Sequence, residues 1–118
     1  HHIWIFWSSS LKIDLFALSD QHLLVKVMDE NQFCFCCNIY SKCDANLRDQ
    51  LWTDLRSFNL REEPWIMDED FNTIMHPSKK KGGMSLPRND RLAFYCFAAQ
   101  EGLLDLGFTG DSFTWCNN

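Results

Sequence analysis

The chain has 118 residues, 46% hydrophobic and 23% charged, which fits one small globular domain and excludes wholesale disorder. Sixteen acidic against eleven basic side chains leave a net charge of -5, which weighs against tight non-specific nucleic-acid binding by the whole chain but not against a local basic patch. No apolar run approaches the ~20 residues of a membrane span, and His1-His2 before five apolar residues is too short for a signal peptide.

The expected location is therefore intracellular, nucleus or cytoplasm, not secreted and not in a membrane. No initiator Met opens the chain, so a piece of something longer is expected.

Residues 3–7 are apolar on both faces and read as a strand covered on both sides. Ser8-Ser9-Ser10 is a turn, and residues 12–18 form a second strand. A turn at 19–21 leads to a strand over 23–28. The short polar run 29–32 closes a hairpin onto a strand over 33–40. Four strands with short connections predict an antiparallel meander.

Leu47, Leu51, Leu55 and Phe58 then recur at helical spacing, with Asp44 or Asn46 as the cap. A strand over 64–71 follows. Pro77, Gly82, Gly83 and Pro87 make residues 76–87 a loop. Residues 88–101 predict a second helix, with Leu92, Tyr95 or Cys96, and Ala99 inward and Gly102 as its stop. Residues 103–106 lead to a glycine turn, and residues 112–115 form the last strand, with Trp115 in the core. Pattern alone gives a single mixed α/β domain without repeats or linkers.

Six cysteines invite a metal or disulfide reading, but no Cys-x-x-Cys pair exists. Cys34 and Cys36 share one strand face, Cys37 points the other way, and Cys43, Cys96 and Cys116 are scattered. The expectation is buried free thiols.

The run Pro64-Trp65-Ile66-Met67-Asp68-Glu69-Asp70-Phe71-Asn72-Thr73 carries the chemistry. Residues two apart on a strand point to the same side. Asp70 and Asn72 therefore face one site while Phe71 anchors in the core. A carboxylate and a carboxamide there can hold a water and orient a phosphate oxygen or a metal-bound ligand. Asp and Asn are also common in plain strand-end turns.

Other segments accompany this run in order: Asn38-Ile39-Tyr40-Ser41, Arg48-Asp49-Gln50-Leu51-Trp52, Lys81-Gly82-Gly83, Gly102-Leu103-Leu104-Asp105-Leu106-Gly107-Phe108-Thr109-Gly110 and Ser112-Phe113-Thr114-Trp115. Together they resemble the endonuclease/exonuclease/phosphatase (DNase I-like) superfamily, in particular the endonuclease domain of plant LINE-type, non-LTR retrotransposons. The resemblance covers most of the chain.

It implies that residues 1–118 are a partial domain, a fragment of a four-layer α/β sandwich with mostly antiparallel strands and two flanking helices. It also implies hydrolysis of DNA phosphodiester bonds with Mg²⁺ or Mn²⁺. Asp70 then activates water or holds the metal, Asn72 orients the phosphate and Tyr40 hydrogen-bonds it. Asn38, on the same strand face as Tyr40, lines the cleft.

The family also uses a metal-binding Glu near its N-terminus and an Asp-His pair near its C-terminus. The expectation is that these 118 residues lack both. His1, His2, His22 and His76 match no catalytic histidine, and His22, after a turn, is expected to face solvent. Glu69 stands where the family commonly has Gly. Asp68, Glu69 and Asp70 would repel without a cation among them, which reads as a modified metal site or as decay.

Lys79, Lys80 and Lys81 with Arg88 and Arg91 form the basic cluster, either touching a DNA backbone or simply solvated. Trp52 is expected to pack on the sheet. The resulting expectation is a truncated endonuclease domain, inactive as it stands. The alternatives are a non-enzymatic remnant that self-associates through exposed strand edges, and a phosphoesterase of the same superfamily.

Overall fold

A computed structural model describes residues 3–70, 81–82, 88–107 and 109, without the side chains of residues 69, 70 and 88–91. The chain divides into two compact units, His1–Asn72 and Thr73–Asn118.

The first unit is built on a four-stranded sheet in the order β1-β2-β3-β4. The strands are β1 (Lys12–Leu18), β2 (His22–Asp29), β3 (Gln32–Tyr40) and β4 (Trp65–Asp70), with helix α1 (Ala45–Ser57) between β3 and β4. The pairs β1/β2 and β2/β3 are antiparallel, and the β2–β3 hairpin closes where Asp29 pairs with Gln32. Glu30 there takes a left-handed conformation, φ 53°, which side chains other than Gly and Asn seldom adopt.

Three strands of the expected meander are present, and β4 joins them. The β3/β4 pair is parallel, because a helix carries the chain back across the sheet between them, the connection that parallel neighbours require. Residues 3–7 form no strand; Trp4 and Phe6 are 81% and 88% exposed. An apolar run becomes a strand only by pairing, and among the described residues β1 ends the sheet without a partner beyond it.

Alternation along the strands divides the sheet into two faces. His22, Leu24, Phe35, Cys37 and Ile39 are buried on one of them. Helix α1 lies against this face: its terminal Phe58 ring meets the His22 ring edge-on at 5.3 Å. A shallow cavity of about 160 Å³ lies between Phe16, Leu24, Phe35, Phe58 and Leu60.

The buried stripe of α1 is Arg48, Leu51, Trp52 and Leu55. Leu47, assigned inward by periodicity, is 49% exposed. The helix is turned by one position, toward Arg48, whose guanidinium bonds the carbonyls of Lys42 and Cys43. Asp44 caps it, accepting from the backbone N–H groups of Asn46 at 2.9 Å and Leu47 at 3.2 Å. Asn59 ends it with φ 53° and an N–H donated to the Arg56 carbonyl.

In the second unit, α2 spans Arg88–Gln100. Its buried positions are Phe97 and Ala98, with Ala93 and Phe94 half-buried. Leu92, Tyr95, Cys96 and Ala99 are exposed, a correction to their inward assignment. Residues 92–99 are apolar all round, so periodicity could not choose a face. Gly102 does stop the helix: φ is 67°, its N–H reaches the Ala99 carbonyl, and the Leu103 N–H reaches that of Ala98. This double bond pattern closes a helix end with a left-handed residue. Phe71, the strand at 112–115, Trp115 and Cys116 lie outside the described residues. No helix among the described residues is long and apolar enough to cross a membrane.

Candidate functional site

The crossover from β3 through α1 to β4 brings two strand ends side by side. Tyr40 and Asp70 are backbone partners in the last register pair, and Asn38 and Asp68 are partners one pleat earlier. In open α/β sheets, ligands bind beyond the carboxyl ends of parallel strands. Thus Asn38 and Tyr40 on β3 share one end of the sheet with Asp70, which is far from them in sequence. Tyr40 is 36% exposed, Asn38 half-buried and Asp68 exposed.

The chain leaving β3 is held firmly. Gln21, 8% exposed, accepts from the Lys42 N–H at 2.8 Å and donates from Nε2 to the Leu47 carbonyl at 2.9 Å. Its own carbonyl accepts from the Tyr40 N–H at 2.9 Å. One amide side chain therefore joins the start of β2, the end of β3 and the first turn of α1. Arg48, 4% exposed, donates from Nη1 to the carbonyls of Lys42 at 3.1 Å and Cys43 at 2.6 Å. A guanidinium with its several N–H groups can serve two carbonyls at once. Ser41, between these contacts, is fully buried.

His22 corrects a sequence expectation: it is 4% exposed rather than solvated. Its Nε2 lies 3.7 Å from Asp54 Oδ2, and its buried Nδ1 has no hydrogen-bond partner. That separation exceeds a hydrogen bond, so Asp54 acts through charge. Burial lowers the imidazole pKa, and the Asp54 carboxylate offsets part of the effect. His22 thus sits between sheet and helix as a neutral structural group.

The roles of Gln21, His22 and Arg48 escaped the sequence reading. Arg48 belonged to a motif but had no assigned contact, and a turn residue such as Gln21 carries no periodic signal. Asn72, Lys79 and Lys80 lie outside the described residues. Lys81 is described and exposed, in the second unit. Arg88 and Arg91 are helical, with their side chains not described.

Among the described residues no three or more His, Cys, Asp or Glu side chains are placed to hold a metal ion. A magnesium shell takes about six oxygens, several of them from water or substrate. The described side chains contribute Asp68 and the Asn38 carboxamide at this sheet end, which do not by themselves define a cation site. Cys34, Cys36, Cys37, Cys43 and Cys96 are free thiols; Cys43 and Cys96 are exposed, against the expectation of burial, because each lies outside the sheet. The chain matches no protein-family model and no curated protein sequence.

Proposed function

We propose that this chain is a partial retrotransposon-type endonuclease domain of DNase I-like fold, whose ancestral reaction is Mg²⁺-dependent hydrolysis of DNA phosphodiester bonds. The observation that supports it is the parallel register of Tyr40 with Asp70. It sets the end of β3, with Tyr40, beside the end of β4, with Asp70, which supports a phosphate meeting both. In this reading Asp70 activates water or holds Mg²⁺ or Mn²⁺, Asn72 orients the phosphate and Tyr40 hydrogen-bonds it. Asn38 lines the cleft, and Lys79, Lys80 and Lys81 meet the DNA backbone.

Hydrolysis in this family also needs a metal-holding Glu and an Asp-His pair, which the matched motifs do not supply. Losing one member of a concerted site costs orders of magnitude in rate, so these 118 residues by themselves are expected not to nick DNA. The test pairs Mn²⁺ with the purified chain and its Asp70→Ala variant. Paramagnetic broadening of the amides of residues 68–72, lost in Asp70→Ala, is expected. Broadening that survives Asp70→Ala overturns the assignment of Asp70. Metal-dependent plasmid nicking by the purified chain overturns the inactivity.

A second reading, a non-enzymatic interaction protein, is favoured by the sheet face opposite α1. Leu15, Leu18 and Ile66 on that face are 61%, 55% and 45% exposed. Open apolar faces and edges invite self-association. Sedimentation that stays monomeric at high concentration counts against it. A phosphoesterase acting on small substrates would use the same residues and would cleave p-nitrophenyl phosphodiesters.

A further inference from the structure

Cys34 and Cys36 stand two positions apart on β3, on the sheet face away from α1. Both are half-buried free thiols. Their cross-strand neighbours are Val27 and Val25 on β2 and, beside Cys36, Ile66 on β4. None of these offers a further ligand. The strand β4 begins opposite Phe35, and the Phe35 N–H donates to the Pro64 carbonyl just before it at 2.8 Å.

A disulfide suits this position poorly. Strand residues two apart have Cα atoms about 6.6 Å apart, near the upper limit for a bridge. A sulfur–metal–sulfur link reaches further. Zinc takes four ligands as a rule, and no such set exists among the described residues. Paired thiolates among apolar neighbours suit a soft cation content with few ligands.

We propose that Cys34 and Cys36 form a two-thiolate site for Cu(I). Binding displaces one proton from each thiol to solvent and forms two Cu–S bonds, with no change in oxidation state. Cys37 takes no part: it is buried on the opposite face. Cys43 and Cys96 are exposed outside the strand.

The test uses the reduced full chain under anaerobic conditions, with Cu(I) delivered from its bicinchoninate complex. N-ethylmaleimide labelling is then read cysteine by cysteine by mass spectrometry. The expected result is one Cu(I) per chain, with labelling of Cys34 and Cys36 slowed by about tenfold or more and that of Cys43 and Cys96 unchanged. This comparison needs no variant. Equal labelling with and without Cu(I), or protection shared evenly with Cys43 and Cys96, overturns the proposal. Cys34→Ser and Cys36→Ser should each abolish the stoichiometric site in chains whose circular dichroism is unchanged. Retention of Cu(I) by both variants also overturns it.

Discussion

Replacing Gln21 with Ala should destabilise the first unit severely. The side chain makes two bonds to backbone groups, with the Lys42 N–H at 2.8 Å and the Leu47 carbonyl at 2.9 Å. Alanine reaches neither. An orphaned buried backbone group costs about 1–3 kcal/mol. Both bonds are part-buried, so water can partly replace them and the lower half of that range applies to each, about 2–4 kcal/mol together. That is a large share of the ~5–15 kcal/mol that holds a small domain. Urea unfolding followed by tryptophan fluorescence measures it, with Gln32→Ala as the control. Gln32 is exposed at the hairpin, where substitution should stay within about 0.5 kcal/mol. If Gln21→Ala unfolds at the same urea midpoint as Gln32→Ala, the junction is not held as described.

Three further outcomes are expected. His22 has a lowered pKa in the folded chain, so near and below pH ~6.5 the unfolded chain binds more protons and stability falls on acidification. The urea midpoint should therefore drop between pH ~7.5 and ~5, more steeply in Asp54→Asn, which removes the offsetting carboxylate; a shallower drop in Asp54→Asn would refute this. Asp44→Ala should cost about 1 kcal/mol through loss of the helix cap, while Asp44→Asn should be nearly neutral; equal losses would mean that charge, not capping, matters. The Cys37 thiol, pushed up to about 12 by burial first and by Cys36 second, should resist iodoacetamide at pH ~8 while exposed Cys43 and Cys96 react. Equal rates would contradict its burial.

What the sequence by itself determined is local. Apolar runs bounded by short polar turns specified β1, β2 and β3, because a strand is as long as its apolar run and ends where the turn begins. Asp44 or Asn46 marked the start of α1 and Gly102 the end of α2, because caps act on backbone groups within a few positions of themselves; the structure chose Asp44. The Asp70 region was legible as a strand ending in acids for the same reason.

What only the tertiary structure decided depends on partners remote in sequence. Residues 3–7 looked like a strand, yet a strand needs a neighbour to bond with. The parallel match of Tyr40 with Asp70 required the helix to return the chain across the sheet. His22 looked like a solvated turn residue until Asp54 and Phe58, on another element, closed over it. Arg48 displaced Leu47 from the buried stripe because two strand-end carbonyls needed a donor. In each case a side chain's burial was set by what the fold packed against it, and that information does not reside in its neighbours along the chain.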